Sequence, residues 1–289
     1  MCKEVLDYLQ VKQGDLIVDA TIGTGGHSQV ILEAIGPQGR LIGIDRDLDS
    51  LLFAKKRLSR FSHNLNLVHD DFRNLDKILR DLKIKEVDGI LFDLGLSGFQ
   101  LDNPERGFSF RFDSPLDMRM DRNSYICAYD LINYLSEEEI SSILRTFGEE
   151  RWHNRIAHIL VQERNKGPIA STAQLARLVK EALPSRFQFQ RIHPATRTFQ
   201  AIRIAVNREL EALEEALNKS FDYLVAGARI CIISFHSLED RIVKRKFRLL
   251  FREGIINLIT PKPVRPTQIE IEENPRSRSG KLRVAERLQ

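Results

Sequence analysis

The sequence predicts an open α/β fold: a doubly wound, mainly parallel sheet with a helical subdomain inserted late in the chain. Three observations predict it. Short apolar runs at Leu16-Ile17-Val18, Leu41-Ile42-Gly43-Ile44, Leu65-Asn66-Leu67-Val68 and Ile90-Leu91-Phe92 alternate with segments of helical periodicity. Three of these runs lead into a carboxylate, at Asp19, Asp45 and Asp93. After residue 98 the alternation stops for about 130 residues, and a buried-strand pattern returns only at Arg229-Ile230-Cys231-Ile232-Ile233-Ser234. Strand and helix in strict alternation imply parallel strands with right-handed crossovers. In such sheets, ligands bind beyond the carboxyl ends of the strands.

The elements follow in order. Residues 3 to 10 read as a short helix, and the first strand ends at Asp19. A glycine-rich turn, Gly23-Thr24-Gly25-Gly26-His27-Ser28, then opens a helix that Gly36-Pro37 stops. Glycines let the backbone approach a ligand, and the helix start offers unpaired amides. The second strand, Arg40 to Asp45, puts a carboxylate 22 residues beyond Gly23, a spacing suited to ribose hydroxyls. A helix over about 48–60, a strand over 65–69 and a helix over about 75–82 follow. Phe72, just past the third strand, could stack on a nucleobase. The fourth strand delivers Asp93 to the expected ligand edge.

The glycine loop is weak evidence by itself, and Asp45 strengthens it. A dinucleotide fingerprint wants a third glycine where Ser28 stands. The run Asp19-Ala20-Thr21-Ile22-Gly23-Thr24-Gly25-Gly26 is closer to the acidic-then-glycine loop of S-adenosylmethionine methyltransferases. There is no Walker-type Gly-Lys-Ser/Thr, which argues against ATP hydrolysis.

Beyond Asp93, residues 98–121 are aromatic, polar and charged, too long a stretch for an ordinary connection. Helices then follow to about residue 183, one with Ser136 and Glu139 placed as a capping box, one over about 149–164, and one starting at Ser171-Thr172. The stretch 191–203, with His193, Arg197 and Arg203, suggests phosphate or base contact. A helix over about 201–219 leads back to the sheet. Residues 241–251 are basic and amphipathic, and 279–285 reads as an antiparallel edge strand. The expected division is 1–100 with 195–289 for the sheet domain and 101–194 for the insertion.

Composition bounds the reading. Of 289 residues, 42% are hydrophobic and 29% charged, as in a globular protein, and no run reaches the ~18–20 apolar residues of a membrane span. The N-terminus lacks the apolar core of a secretory signal. Cys2, Cys127 and Cys231 are scattered, forming neither a disulfide framework nor a metal site, and a reducing, cytoplasmic setting fits them best. His27 and His236 lack metal-ligand spacing, so no metal is expected. The net charge is +4, but Arg241 to Gln289 carries 13 Lys+Arg against 5 Asp+Glu. A basic terminal segment on a slightly acidic body suits a polyanionic partner.

At these residues the chain resembles the bacterial 16S ribosomal RNA (cytosine-N4)-methyltransferases. The matching stretches are Gly25-Gly26-His27-Ser28, Ile44-Asp45-Arg46-Asp47, Asp93-Leu94-Gly95, Glu105 to Asp121, His193 to Arg203, Ser234 to Lys244, Asn274 to Arg278 and Leu282 to Arg287. They run through nearly the whole chain. The resemblance implies a Rossmann-like class I S-adenosylmethionine-dependent methyltransferase sheet. It also implies cofactor contacts at Gly25, Gly26, His27, Asp45, Phe72, Asp93 and Gln100. The implied reaction is methyl transfer to N4 of a cytosine in the decoding region of 16S rRNA, within the small ribosomal subunit. No membrane partner is expected, and the oligomeric state is open, a homodimer being one reading. Asp93 is expected either to accept from the cytosine amine or to bind the cofactor's ammonium. Ser97 is a further amine contact, and His193, Arg197 and Arg203 are expected on the RNA side. The alternatives are a non-catalytic RNA-binding protein that keeps the fold, and an NAD-dependent oxidoreductase, which Ser28 argues against.

Overall fold

The computed structural model describes residues 1–188 and 193–289. The chain divides into two units, Met1–Gly95 with Leu210–Gln289, and Leu96–Glu209. The first unit is built on a seven-stranded sheet. Its first half runs α1 (Cys2–Leu9), β1 (Leu16–Asp19), α2 (Gly26–Ile35), β2 (Arg40–Asp45), α3 (Leu48–Arg57), β3 (Leu65–His69), α4 (Leu75–Asp81) and β4 (Val87–Asp93). The second unit carries α5 (Gly98–Asp102), α6 (Ala128–Tyr134), α7 (Glu137–Gly148), α8 (His153–Arg164), α9 (Thr172–Ala182) and α10 (Thr196–Asn207). The chain then continues through α11 (Glu209–Ser220), β5 (Leu224–Ser234), α12 (Ser237–Arg252), β6 (Ile256–Leu258), α13 (Gln268–Glu273) and β7 (Lys281–Arg287).

Strand order is β3-β2-β1-β4-β5-β7-β6. The first five strands are mutually parallel; β7 is antiparallel to both β5 and β6. This is a Rossmann-like, doubly wound sheet with its antiparallel strand near one end. The period-two alternation of side chains puts successive residues on opposite faces. Val18, Ile90, Phe92, Ile230 and Ile232 enter one core, with Leu79 of α4, Leu213 and Leu217 of α11 and Phe247 of α12. Ile17, Leu91, Cys231 and Ile233 enter the other, with Val5 of α1, Ile31 of α2 and Leu51 of α3. Each such side chain contributes about 1.5–3 kcal/mol by leaving water. Cys231 is fully buried, as a small core residue should be, and burial pushes its thiol above the ordinary range.

Order reverses between β1 and β4: the chain first builds outward through β2 and β3, then returns to the far side of β1. That reversal is where ligands bind in open α/β sheets. Asp19, Asp45 and Asp93 close three adjacent strands at this edge.

The helical unit has its own core, formed by Leu144, Ile156, Leu160, Leu175, Val179, Phe199 and Ile202 among others. Gly148 explains why α10 belongs to it. A Cβ there would lie 2.9 Å from the Arg197 carbonyl oxygen, so the glycine lets α7 and α10 meet closely. The insertion therefore spans 96–209, and the expected limits of 101–194 were too narrow because α10 packs with α7 rather than with the sheet.

Two further expectations need correcting. A single helix over 201–219 is broken at Arg208, which adopts φ 49° and ψ 42° and ends α10. The strand over 279–285 is antiparallel, but β6 pairs outside it, so β7 is not the edge. A three-residue strand such as β6 is too short to leave a periodic signal. The expected helices at Ser136 and Ser171 do start there: each serine accepts a hydrogen bond from the backbone three residues on.

Candidate active site

The sheet unit's site is built from strand ends. Asp45 closes β2, with Oδ2 accepting from the Gly23 amide at 2.8 Å and Oδ1 from the Asp47 amide at 2.8 Å. A carboxylate has about four lone-pair directions, so two remain for a ligand. Withdrawal from water pushes the Asp45 carboxyl up to about 6, against the pull of those two amides. Asp19 closes β1 and is fully buried. It accepts from Ser28 Oγ at 2.6 Å and from the Thr21 amide at 3.2 Å, and burial pushes it too up to about 6. It ties the glycine loop to the sheet.

Asp93 closes β4. Its amide donates to Thr21 Oγ1 at 2.6 Å, and its Oδ2 lies 3.3 Å from His27 Nδ1. Burial works against charge on His27, but Asp93 first, and Cys2 after it, hold the imidazole well above its ordinary range. The hydrogen bond with His27 in turn lowers the Cys2 thiol. Two atoms of this cluster are buried without any hydrogen-bond partner, Asp93 Oδ1 and His27 Nε2. One is an acceptor and the other, on an imidazolium, is a donor. Unpaired buried polar atoms cost free energy unless something satisfies them. A ligand carrying both an ammonium and a carboxylate would satisfy the two.

The glycines divide by purpose. Gly25 has φ 80° and caps α2, and a Cβ there would meet Leu58 Cδ1 at 2.9 Å. It is required by the chain's own geometry. At Gly26 a Cβ would meet nothing closer than Arg57 Nη1 at 4.0 Å. No packing demands glycine there, so the open space serves what lies outside the protein. Asp93 Oδ1, His27 Nε2, the spare directions of Asp45 and the clearance at Gly26 together fit an amino-acid-bearing nucleoside. Phe72 stands past β3, 9% exposed, its ring set edge-on to Phe92 at 5.6 Å. Most of that ring is core.

The other expected residues lie in the helical unit. Ser97 and Gln100 form a reciprocal capping box on α5: the Gln100 amide donates to Ser97 Oγ at 3.2 Å, and the Ser97 amide donates to Gln100 Oε1 at 3.0 Å. From the sequence these two residues are expected as ligand contacts and not as a helix start. His193 is exposed, and its ring stacks on Phe110 at 4.5 Å with a 31° tilt. Partial burial and then Lys180 lower its pKa, leaving it neutral at pH 7. Arg197 is exposed and donates weakly to the Glu149 carbonyl at 3.4 Å. Arg203 is different. Its Nε and Nη2 donate to the two carboxylate oxygens of Glu209 at 2.8 and 2.9 Å, inside the unit. Arg191, the first residue of that stretch, lies outside the described residues.

Sequence reasoning missed Thr21 and Cys2. Thr21 sits two residues past the first strand, where a hydroxyl can reach the next strand's end; that position was the available signal. The Cys2 contact joins the chain's start to the glycine loop, and nothing local announces it.

Residues 1–288 match the MraW methylase family. A protein from Halothermothrix orenii named ribosomal RNA small subunit methyltransferase H is 48% identical, covering 100% of this chain and 97% of its own length. Proteins of the same name from Trichlorobacter lovleyi and a Sulfurihydrogenibium species are each 47% identical, with 97% of their lengths covered. No described helix is long and apolar enough to cross a membrane.

Proposed function

Because the chain belongs to the MraW methylase family, we infer that it transfers a methyl group from S-adenosylmethionine to N4 of a cytosine in the decoding region of 16S rRNA. The observation that carries the cofactor's placement is the pair of buried, partnerless atoms Asp93 Oδ1 and His27 Nε2. Asp93 accepts from the ammonium of the methionine moiety, and His27 donates to its carboxylate. Asp45 accepts from the ribose hydroxyls, and Gly26 leaves room for the backbone to come close. Ser28, Asp19 and Thr21 hold this frame without touching the ligand. Phe72, most of whose ring is core, is the base contact of this reading, and Gln100 a further cofactor contact.

The bound cofactor supplies an electrophilic sulfonium methyl. The protein's task is alignment and exclusion of water, since holding two reactants in register can replace much of the barrier. The exocyclic amine of cytosine is a weak nucleophile because its lone pair is shared with the ring. Asp93 serves the cofactor in this reading, since His27 already pairs with its other oxygen. Ser97 accepts from the amine. The target base leaves its stack to react. His193 is a neutral stacking ring beside Phe110, and Arg197 is the phosphate contact of the same stretch. Arg203 positions α10 through Glu209.

The test is transfer of labelled methyl to small ribosomal subunits that lack the modification, followed by nucleoside analysis. Label in N4-methylcytidine is expected, lost in Asp93→Asn. Cofactor binding with no label on subunits or naked rRNA would leave a binding protein in place of an enzyme.

A further inference from the structure

Helix α12 buries one face and charges the other. Leu238, Val243, Phe247 and Leu250 are buried, while Arg241, Lys244, Arg245, Arg248 and Arg252 are exposed. At 3.6 residues per turn those five fall within an arc of about 100°, and at 1.5 Å per residue they make a stripe about 16 Å long. No acid lies on it. Glu239 is buried against His236, and Asp240 pairs with Lys281 and Arg283. Lys246, off the stripe, donates to Asn218.

Among the described residues, Lys244, Arg245, Arg248 and Arg252 have no carboxylate partner. Arg229 and Arg283 of the same unit do pair with acids, Glu286 and Asp240; what distinguishes the α12 cations is that they are aligned on one helix face. Like charges one turn apart work against a helix, so the stripe is not explained by the fold. Its cations recur about every 5–6 Å, a spacing at which one strand's successive phosphates can each be met. Leu249 and Phe251, both 50% exposed, offer apolar surface on which an unpaired base can rest.

We propose that the exposed stripe of α12 is a phosphate-binding surface for the backbone of the rRNA substrate, a reading that rests on the methyltransferase function above. It contributes affinity and salt dependence but no base specificity. It stands apart from the cofactor residues: none of the stripe is among them.

The experiment uses the full chain and the variant Lys244→Gln, Arg245→Gln, Arg248→Gln, Arg252→Gln. Binding to naked 16S rRNA is measured across a range of salt. Each lost phosphate contact removes about 0.7–0.9 from the slope of log affinity against log salt. The quadruple variant should therefore lose about 3 from the slope, and tenfold or more in affinity at fixed low salt. Its affinity for S-adenosylmethionine should be unchanged, which certifies the fold. A companion variant, Arg245→Lys, Arg248→Lys, Arg252→Lys, should keep the slope, since a charge at the stripe is what matters. Unchanged slope and affinity in the folded quadruple variant would overturn the proposal. So would a loss seen only with anionic phospholipid vesicles and not with RNA. Methyl transfer by the wild type is followed in the same preparations. If it fails while RNA binding still depends on the stripe, the reaction reading falls and the surface stands.

Discussion

The sheet unit and the inserted helical unit carry charged side chains to different ends. In the insertion, two arginines of the polar stretch, Arg106 and Arg119, are tied into their own frame, while Arg111 is exposed. Arg106 is 1% exposed and donates to the carbonyls of Arg119 and Met120. Arg119 forks onto Asp117 at 2.7 and 2.8 Å and braces the carbonyls of Arg122 and Ser124. Arg203 is clamped by Glu209. The insertion also keeps single buried atoms without a hydrogen-bond partner, at Arg106 Nε, Ser114 Oγ and Thr198 Oγ1. In the sheet unit the two such atoms of Asp93 and His27 belong to one contacting pair at a strand end, and Lys244, Arg245, Arg248 and Arg252 of α12 have no carboxylate partner among the described residues. A charged residue type in the sequence therefore does not mark a binding surface. What marks it is a cluster of groups that the fold leaves unsatisfied, at a strand end or along one helix face, not a single unsatisfied atom.

The sharpest way to break this comparison is at the insertion's tightest turn. Gly107 has φ 66°, and a Cβ there would lie 2.2 Å from the Pro115 carbonyl oxygen and 2.9 Å from the Asp117 nitrogen, both backbone atoms that cannot swing away. Gly107→Ala should cost more than about 3 kcal/mol, the upper end for a strained backbone position. Thermal melting would read this; a melt like the wild type's would mean the polar stretch is not framed as described.

Arg203→Ala comes next. It leaves Glu209, 7% exposed, without its partner, and removing one member of a buried pair costs about 3 kcal/mol. Denaturant unfolding should record the loss, while salt dependence of RNA binding should stay as in the wild type. A shallower salt slope with unchanged stability would return Arg203 to the RNA side.

The pH response sharpens the other half. Asp45 takes its proton more readily in the folded chain than unfolded, about 6 against an ordinary 3.8. Stability from that proton is fully present below about 3.8 and is lost as pH rises through about 6. Cofactor binding runs the opposite way, because ribose hydroxyls need the ionised form. Affinity should fall up to about tenfold per pH unit below 6. Asp19 shares this window without facing the ligand. Asp45→Asn should therefore flatten the affinity profile, and a profile unchanged in that variant would assign the dependence elsewhere.

The smallest effect is the most specific. Gly26→Ala, in the first turn of α2 with open space around it, should raise stability by about 0.5–1 kcal/mol. It should also weaken cofactor binding, because the added methyl fills the ligand's clearance. Gain in both would mean Gly26 faces solvent only.

Much of this was legible in the sequence. Asp45 and Asp93 could be placed because an apolar run that stops at a carboxylate fixes both the strand and its end. The capping box at Ser136 could be read from a four-residue spacing. Arg203 could not: its partner lies six residues on, past the left-handed break at Arg208, and a non-glycine in that conformation gives no warning. The limit of the insertion was hidden for a related reason. Only the packing of Gly148 against α10 reveals to which core Phe199 and Ile202 belong. That Lys244, Arg245, Arg248 and Arg252 have no carboxylate partner among the described residues was likewise unreadable, since a sequence lists charges but not their partners.

The central claim is that the strand-end pair of Asp93 and His27 receives the cofactor's amino-acid end, and calorimetric titration with S-adenosylmethionine tests it most directly. The wild type should bind with one site per chain. Asp93→Asn should bind about 10–100-fold more weakly, the worth of a hydrogen bond to a charged group at ~1.5–3 kcal/mol, while circular dichroism still shows the folded chain at the temperature of the titration. Equal affinity in the two proteins would contradict the account and place the cofactor away from β4.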